Sequence, residues 1–194
     1  MSDAFSAIMT VGACVFALGI VGIAVGVVAI TSGDDGDTLV LDEPGEYQQP
    51  GIGTNAPLTG TTLTDATVVD LDGAELQISS LVGQPMVINV WYSTCPPCKR
   101  ELPAFAAAHS TYGDRVRFVG VNTFDDAETT RSFAADYGVE YELVRDPNGE
   151  FISANRVAAF PTTLFVAPDG TITRQRAGEL SEAELTEFIE ELLS

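Results

Sequence analysis

The sequence predicts an α/β domain in which a mixed central sheet is flanked by helices, opened by an N-terminal β-hairpin and preceded by one transmembrane helix. Three observations carry this expectation. Near-continuous apolar strands alternate with amphipathic helical stretches beyond residue 85, a second hairpin follows them, and residues 5–31 contain no charged side chain. Strands that alternate with helices imply a largely parallel centre, and the late hairpin adds antiparallel strands.

The uncharged run comes first. At about 1.5 Å per residue it would make roughly 40 Å of helix, enough to cross a hydrocarbon layer of about 30 Å with some tilt. Gly12, Gly19, Gly22 and Gly26 fit a membrane helix better than a soluble one. A cleaved signal peptide would need a basic start and a shorter apolar core. Residues 1–31 are therefore expected to be an uncleaved anchor. No Lys or Arg flanks the run, so charge does not set its orientation.

Residues 32–60 hold Asp34, Asp35, Asp37, Asp42, Glu43 and Glu46, no base, and many Gly, Pro and Gln residues. Such a segment reads as an acidic flexible linker. Residues 61–194 then suit one domain. Within it, residues 66–71 and 74–78 flank Asp72-Gly73 as a hairpin. Residues 85–91 read as a strand buried on both faces, 95–111 as a helix with prolines in its first turn, and 117–121 as a second buried strand. Residues 125–137 form an amphipathic helix and 151–157 a short one. Residues 162–166 and 171–174 surround Pro168-Asp169-Gly170 as a second hairpin. A closing helix over 181–193 opens with the capping box Ser181…Glu184.

Charge excludes one class of partner. The chain has 28 acidic and 9 basic residues, a net charge of −19, and no Lys or Arg before Lys99. Nucleic-acid binding needs clustered cations.

Chemistry concentrates at Cys95-Pro96-Pro97-Cys98, after a buried strand and at the start of a helix. Two sulfurs at this spacing close a small ring, and the first sits where backbone N–H groups and the helix dipole stabilise a thiolate. Disulfide exchange needs one thiolate to attack and a second thiol to release the mixed disulfide. Cys95 is expected to be the exposed nucleophile and Cys98 the resolving thiol. Zinc would need four ligands, and outside the pair only Cys14 and His109 offer sulfur or imidazole; no metal site is expected. A bridge over so short a loop constrains little of the unfolded chain, which weighs against a purely structural disulfide. The strand–CxxC–helix order favours redox chemistry.

The block NVWYSTCPPCKRELP (residues 89–103) resembles the active-site segment of the TlpA/ResA-type family of thioredoxin-like thiol–disulfide oxidoreductases. A second block, RVAAFPTTLFVAPDG (residues 156–170), agrees. The resemblance implies a thioredoxin-like fold and a domain outside the cytoplasm, anchored at the cell membrane by a single pass. It matches Phe160-Pro161 to a cis-proline bond beside the dithiol, places Trp91 beneath it, and puts Trp91, Pro96, Pro97, Phe160 and Thr162 where substrate binds. Asn89 stands where thioredoxin has a buried acid. Glu101 matches a family acid that shares a helical face with Cys98, positioned to tune the thiol or shuttle its proton; its other reading is a solvated helix acid. Thr94 stands where the family commonly has a Trp, which implies a less hydrophobic substrate surface. The sequence also lacks the Pro-Glu-Thr run of some haem-attachment reductases.

The expected activity is exchange of disulfides with protein substrates, with no cofactor beyond the Cys95–Cys98 pair. A reductase would serve apocytochrome c or other exported thiols, fed by a DsbD/CcdA-type membrane electron donor. Reduction is the expected direction, and a thiol oxidase in oxidative folding is the alternative. A peroxiredoxin-like thiol peroxidase with an antioxidant role is a second class, and a non-catalytic binding module a third.

Overall fold

The computed structural model describes residues 55–194. Residues 1–31, read as an anchor, and most of the expected linker lie outside the described residues. No helix among the described residues is long and apolar enough to cross a membrane.

The strands are β1 (Thr67–Asp70), β2 (Glu75–Gln77), β3 (Met86–Trp91), β4 (Arg117–Asn122), β5 (Glu142–Arg145), β6 (Thr162–Val166) and β7 (Ile172–Ala177). The helices are α1 (Pro96–Tyr112), α2 (Ala127–Asp136), α3 (Glu150–Ala154) and α4 (Glu182–Leu192), with a 3-10 turn at Ile78–Leu81. One sheet results, in the order β2-β1-β5-β4-β3-β6-β7. Its centre is parallel, β3 with β4 and β4 with β5, and its flanks are antiparallel.

β3 is buried along its whole length because it lies inside this sheet, paired with β4 on one side and β6 on the other. Successive side chains go to opposite faces. Met86, Ile88 and Val90 join Val119, Val121 and Leu164 in one cluster, closed by Ile78, Leu81 and Phe151. Val87 and Trp91 join a second, with Leu102 and Phe105 of α1 and Leu185 and Ile189 of α4. The active-site strand is thus held by two cores at once.

Two expectations need correction. β5 is absent from the sequence reading, yet it is inserted between β1 and β4. Its sequence Glu-Leu-Val-Arg offers only two apolar residues, too short a pattern to separate a strand from a loop. The folded domain also starts before residue 61. Leu58 is buried, its N–H donates to Gln175 Oε1 at 3.1 Å, and the Gly60 N–H donates to Ile172 O at 2.8 Å. Residues 55–60 therefore pack on the sheet rather than continue the linker. Their small and polar composition suits a tether, but the backbone groups find partners on β7 and in the turn at Thr61.

Candidate active site

Cys95 is the N-cap of α1, extended at φ −87° and ψ 109°, and is disulfide-bonded to Cys98 with Cα atoms 5.3 Å apart. Pro96 and Pro97 fill the first helical positions, where their missing N–H groups cost nothing. The first N–H that α1 offers is that of Cys98, and it donates to Cys95 Sγ at 3.3 Å. The dipole and this single donor are what the helix supplies to a thiolate at Cys95. The expected exposure of Cys95 does not appear: it is 2% exposed, Cys98 not at all. Both sulfurs belong to the cluster against which Tyr92 and Phe160 pack.

The loop before Cys95 is clamped from β4. The Asp125 carboxylate accepts from the Ser93 N–H and from Ser93 Oγ, both at 2.7 Å, and from Asn122 Nδ2 at 2.7 Å. Asn122 Oδ1 in turn accepts the N–H groups of Phe124 and Asp125.

Opposite stands the second block. β3 and β6 pair with Val90 across from Thr162, so continuing that register brings Phe160 and Pro161 alongside Tyr92 and Trp91. The rings of Tyr92 and Phe160 meet edge to face at 5.3 Å, and the Phe160–Pro161 bond is cis. One side chain braces this turn. Asn55 Oδ1 accepts from the N–H groups of Ala158 (2.7 Å) and Ala159 (3.0 Å), and its Nδ2 donates to Thr162 Oγ1 at 2.6 Å. Thr162 Oγ1 donates onward to Ala159 O at 2.8 Å.

Two residues expected at the substrate surface therefore lie inside it. Thr162 is fully buried and its hydroxyl is committed to this brace, while Trp91 is fully buried and stacks on Phe133 at 5.5 Å. They shape the site from behind, because β3 and β6 turn these side chains into the cores. Pro96 is exposed, Pro97 and Phe160 are half-buried, and Pro161 is buried.

Glu101 lies one turn beyond Cys98 and is 1% exposed, so the solvated reading of this acid falls. Asn89 Nδ2 donates to its Oε1 at 2.8 Å and the Leu180 N–H to its Oε2 at 3.1 Å. Burial pushes its pKa up to about 7. The donors from Asn89 and Leu180 oppose the rise, and the nearby charge of Glu179 adds to it. A buried carboxyl that changes charge near neutrality, one turn from a thiol, can take a proton and hand it on. Burial likewise pushes the Tyr141 hydroxyl up, with the Glu101 charge adding to the effect. Among the described residues no group of three or more His, Cys, Asp or Glu side chains is arranged to hold a metal ion.

Sequence reasoning missed Asn55, Ser93, Asn122, Asp125 and Leu180. The roles of Asn55, Ser93, Asp125 and Leu180 arise from contacts across long sequence separations, whereas Asn122 acts within three residues of its own loop, where a lone Asn gives no distinctive signal.

Comparison with known proteins agrees with this geometry. The model of the AhpC/TSA family matches residues 59–175. "Thiol-disulfide oxidoreductase ResA" of Halalkalibacterium halodurans is 28% identical over 132 residues, covering 68% of this chain and 75% of that protein. The protein of the same name from Bacillus subtilis is 26% identical over 144 residues, covering 74% and 80%. Among solved structures, a secreted Mycobacterium tuberculosis disulfide oxidoreductase homologous to E. coli DsbE superposes with a TM-score of 0.60. It is 27% identical and covers 65% of this chain and 95% of that one.

Proposed function

The chain belongs to the AhpC/TSA family, and we propose that this thiol–disulfide oxidoreductase of the ResA/DsbE type is a membrane-anchored reductase working outside the cytoplasm. The observation that carries the direction is the buried Glu101 carboxyl beside the dithiol, with only one helix N–H aimed at Cys95. A strong oxidant stabilises its reduced form as a thiolate. Here a carboxylate in an apolar site opposes negative charge on the neighbouring sulfur, and the two prolines withhold donors, so the disulfide form is relatively favoured and the dithiol gives up electrons.

In the proposed cycle the Cys95 thiolate attacks one sulfur of a client disulfide, and the client's other sulfur leaves as a thiolate. Glu101 as carboxylate takes the proton of Cys98. Cys98 then attacks Cys95 Sγ, closing the Cys95–Cys98 bond and releasing the second client thiolate. Two electrons pass to the client, and the Glu101 proton returns to solvent. A membrane donor of the DsbD/CcdA type reopens the pair by the reverse exchange with its own dithiol, and no cofactor beyond the two sulfurs is required. Apocytochrome c and other exported thiols are the proposed clients. The uncharged stretch over residues 5–31 supports the anchor, and disulfide chemistry supports the extracytoplasmic side.

Equilibrating the Cys95–Cys98 pair against defined thiol buffers tests the direction. A reductase is expected near thioredoxin's value of about −270 mV, whereas a value near about −120 mV would make the protein an oxidase.

A further inference from the structure

Phe124 is the one large hydrophobic side chain that stands exposed among the described residues, at 65%. It sits in the loop between β4 and α2, and its ring meets Tyr92 edge to face at 5.0 Å and Phe160 at 5.6 Å. With the Tyr92–Phe160 contact this closes a triangle of three aromatic rings. Tyr92 leads into Cys95 and Phe160 precedes Pro161, so the triangle borders the dithiol on both sides of the site.

The exposed ring is held in place. The Phe124 N–H donates to Asn122 Oδ1 at 3.2 Å, and the next residue, Asp125, ties the same loop to Ser93 by two hydrogen bonds. A loop fastened to the nucleophile's own loop, carrying an uncovered aromatic, is preorganised for contact with a partner. Aromatic side chains presented rigidly in this way dominate recognition surfaces. The sequence places Thr94, exposed and polar, immediately before Cys95. The apolar surface beside the dithiol is therefore supplied by Phe124 and its two neighbours.

We propose that the Tyr92–Phe124–Phe160 triangle is a specificity subsite that receives an apolar or aromatic side chain flanking the reacting cysteine of an extended client segment. The occupant is a client polypeptide because the triangle is continuous with the two loops that enclose Cys95. It lacks any charged side chain of its own, so an apolar residue is the chemistry it fits. The proposal rests on the exchange reaction above and adds to it which cysteines are preferred.

The test compares two short peptide disulfides that differ only in carrying Phe or Ser beside the cysteine, using the reduced full-length protein, with 2-hydroxyethyl disulfide as a probe too small to reach the triangle. Wild type is expected to reduce the Phe peptide about tenfold faster than the Ser peptide, the scale of covering one apolar side chain. Phe124→Ser is expected to bring that ratio near unity, and Phe124→Leu to hold an intermediate ratio. A wild-type ratio near unity, or a ratio that survives in Phe124→Ser, overturns the subsite. Failure of wild type to reduce 2-hydroxyethyl disulfide overturns the exchange reading itself, and the subsite with it.

Discussion

Glu101 ties stability to chemistry in a single carboxyl. Its folded pKa, about 7, lies above the unfolded value, so the native state holds a proton that the unfolded chain releases. Stability from this group is present at low pH and is lost as pH rises through about 7. Between pH 5 and pH 8 the loss is about 2 to 3 kcal/mol. Glu101→Gln, neutral throughout, is expected to lose less stability over that interval by this amount, measured by urea unfolding of the oxidised protein at both pH values. Parallel pH profiles for the two proteins would mean that Glu101 is ionised in the fold. The same substitution is expected to remove an inflection near pH 7 from the rate at which Cys98 resolves a mixed disulfide. The position of this acid was readable from its one-turn spacing to Cys98. Its burial was not, because the Leu180 N–H and the covering loop come from 79 residues away.

At the scale of elements, local signals served where chemistry is local. The Ser181 capping box forms as its spacing predicts, with the Ser181 side chain accepting the Glu184 N–H and the Glu184 carboxylate accepting the Ser181 N–H. Since α4 sets Leu185 and Ile189 into the core, Ser181→Ala is expected to cost about 1 kcal/mol in urea unfolding, and a change below about 0.3 kcal/mol would show the cap idle. β5 and the start of the domain escaped for the opposite reason. A four-residue strand and a polar lead-in acquire their structure only from neighbours distant in sequence. Asn55 is the sharpest instance, since it braces residues 158–162 across a separation of more than 100 residues. Asn55→Ala leaves the Ala158 and Ala159 N–H groups without their acceptor and, since water can reach the exposed Ala158, is expected to cost about 0.5 to 1.5 kcal/mol. It is also expected to slow reduction of peptide disulfides more than of 2-hydroxyethyl disulfide, because the displaced turn carries Phe160. Equal slowing of both would assign Asn55 to stability alone.

For the whole molecule, the order of the strands and helices other than β5, both hairpins and the dithiol's place at a helix N-terminus followed from periodicity and turn chemistry. The mutual placement of the two blocks did not follow from these local signals and was implied only by the family resemblance. It depends on β3 and β6 pairing in a register that only the assembled sheet defines. The anchored topology proposed for the chain predicts that a tag at Ser194 is cleaved by protease added to intact cells, and protection of that tag would place the domain inside. All of this depends on Cys95 forming a covalent bond to a client while Cys98 waits to break it. Replacing Cys98 by Ala in the full-length protein removes the resolving thiol, and the products formed with a disulfide-bonded client can be resolved without reductant. A reductant-sensitive adduct through Cys95, lost when Cys95 is also replaced, is the expected result; absence of any adduct at every redox poise would rule out exchange through Cys95.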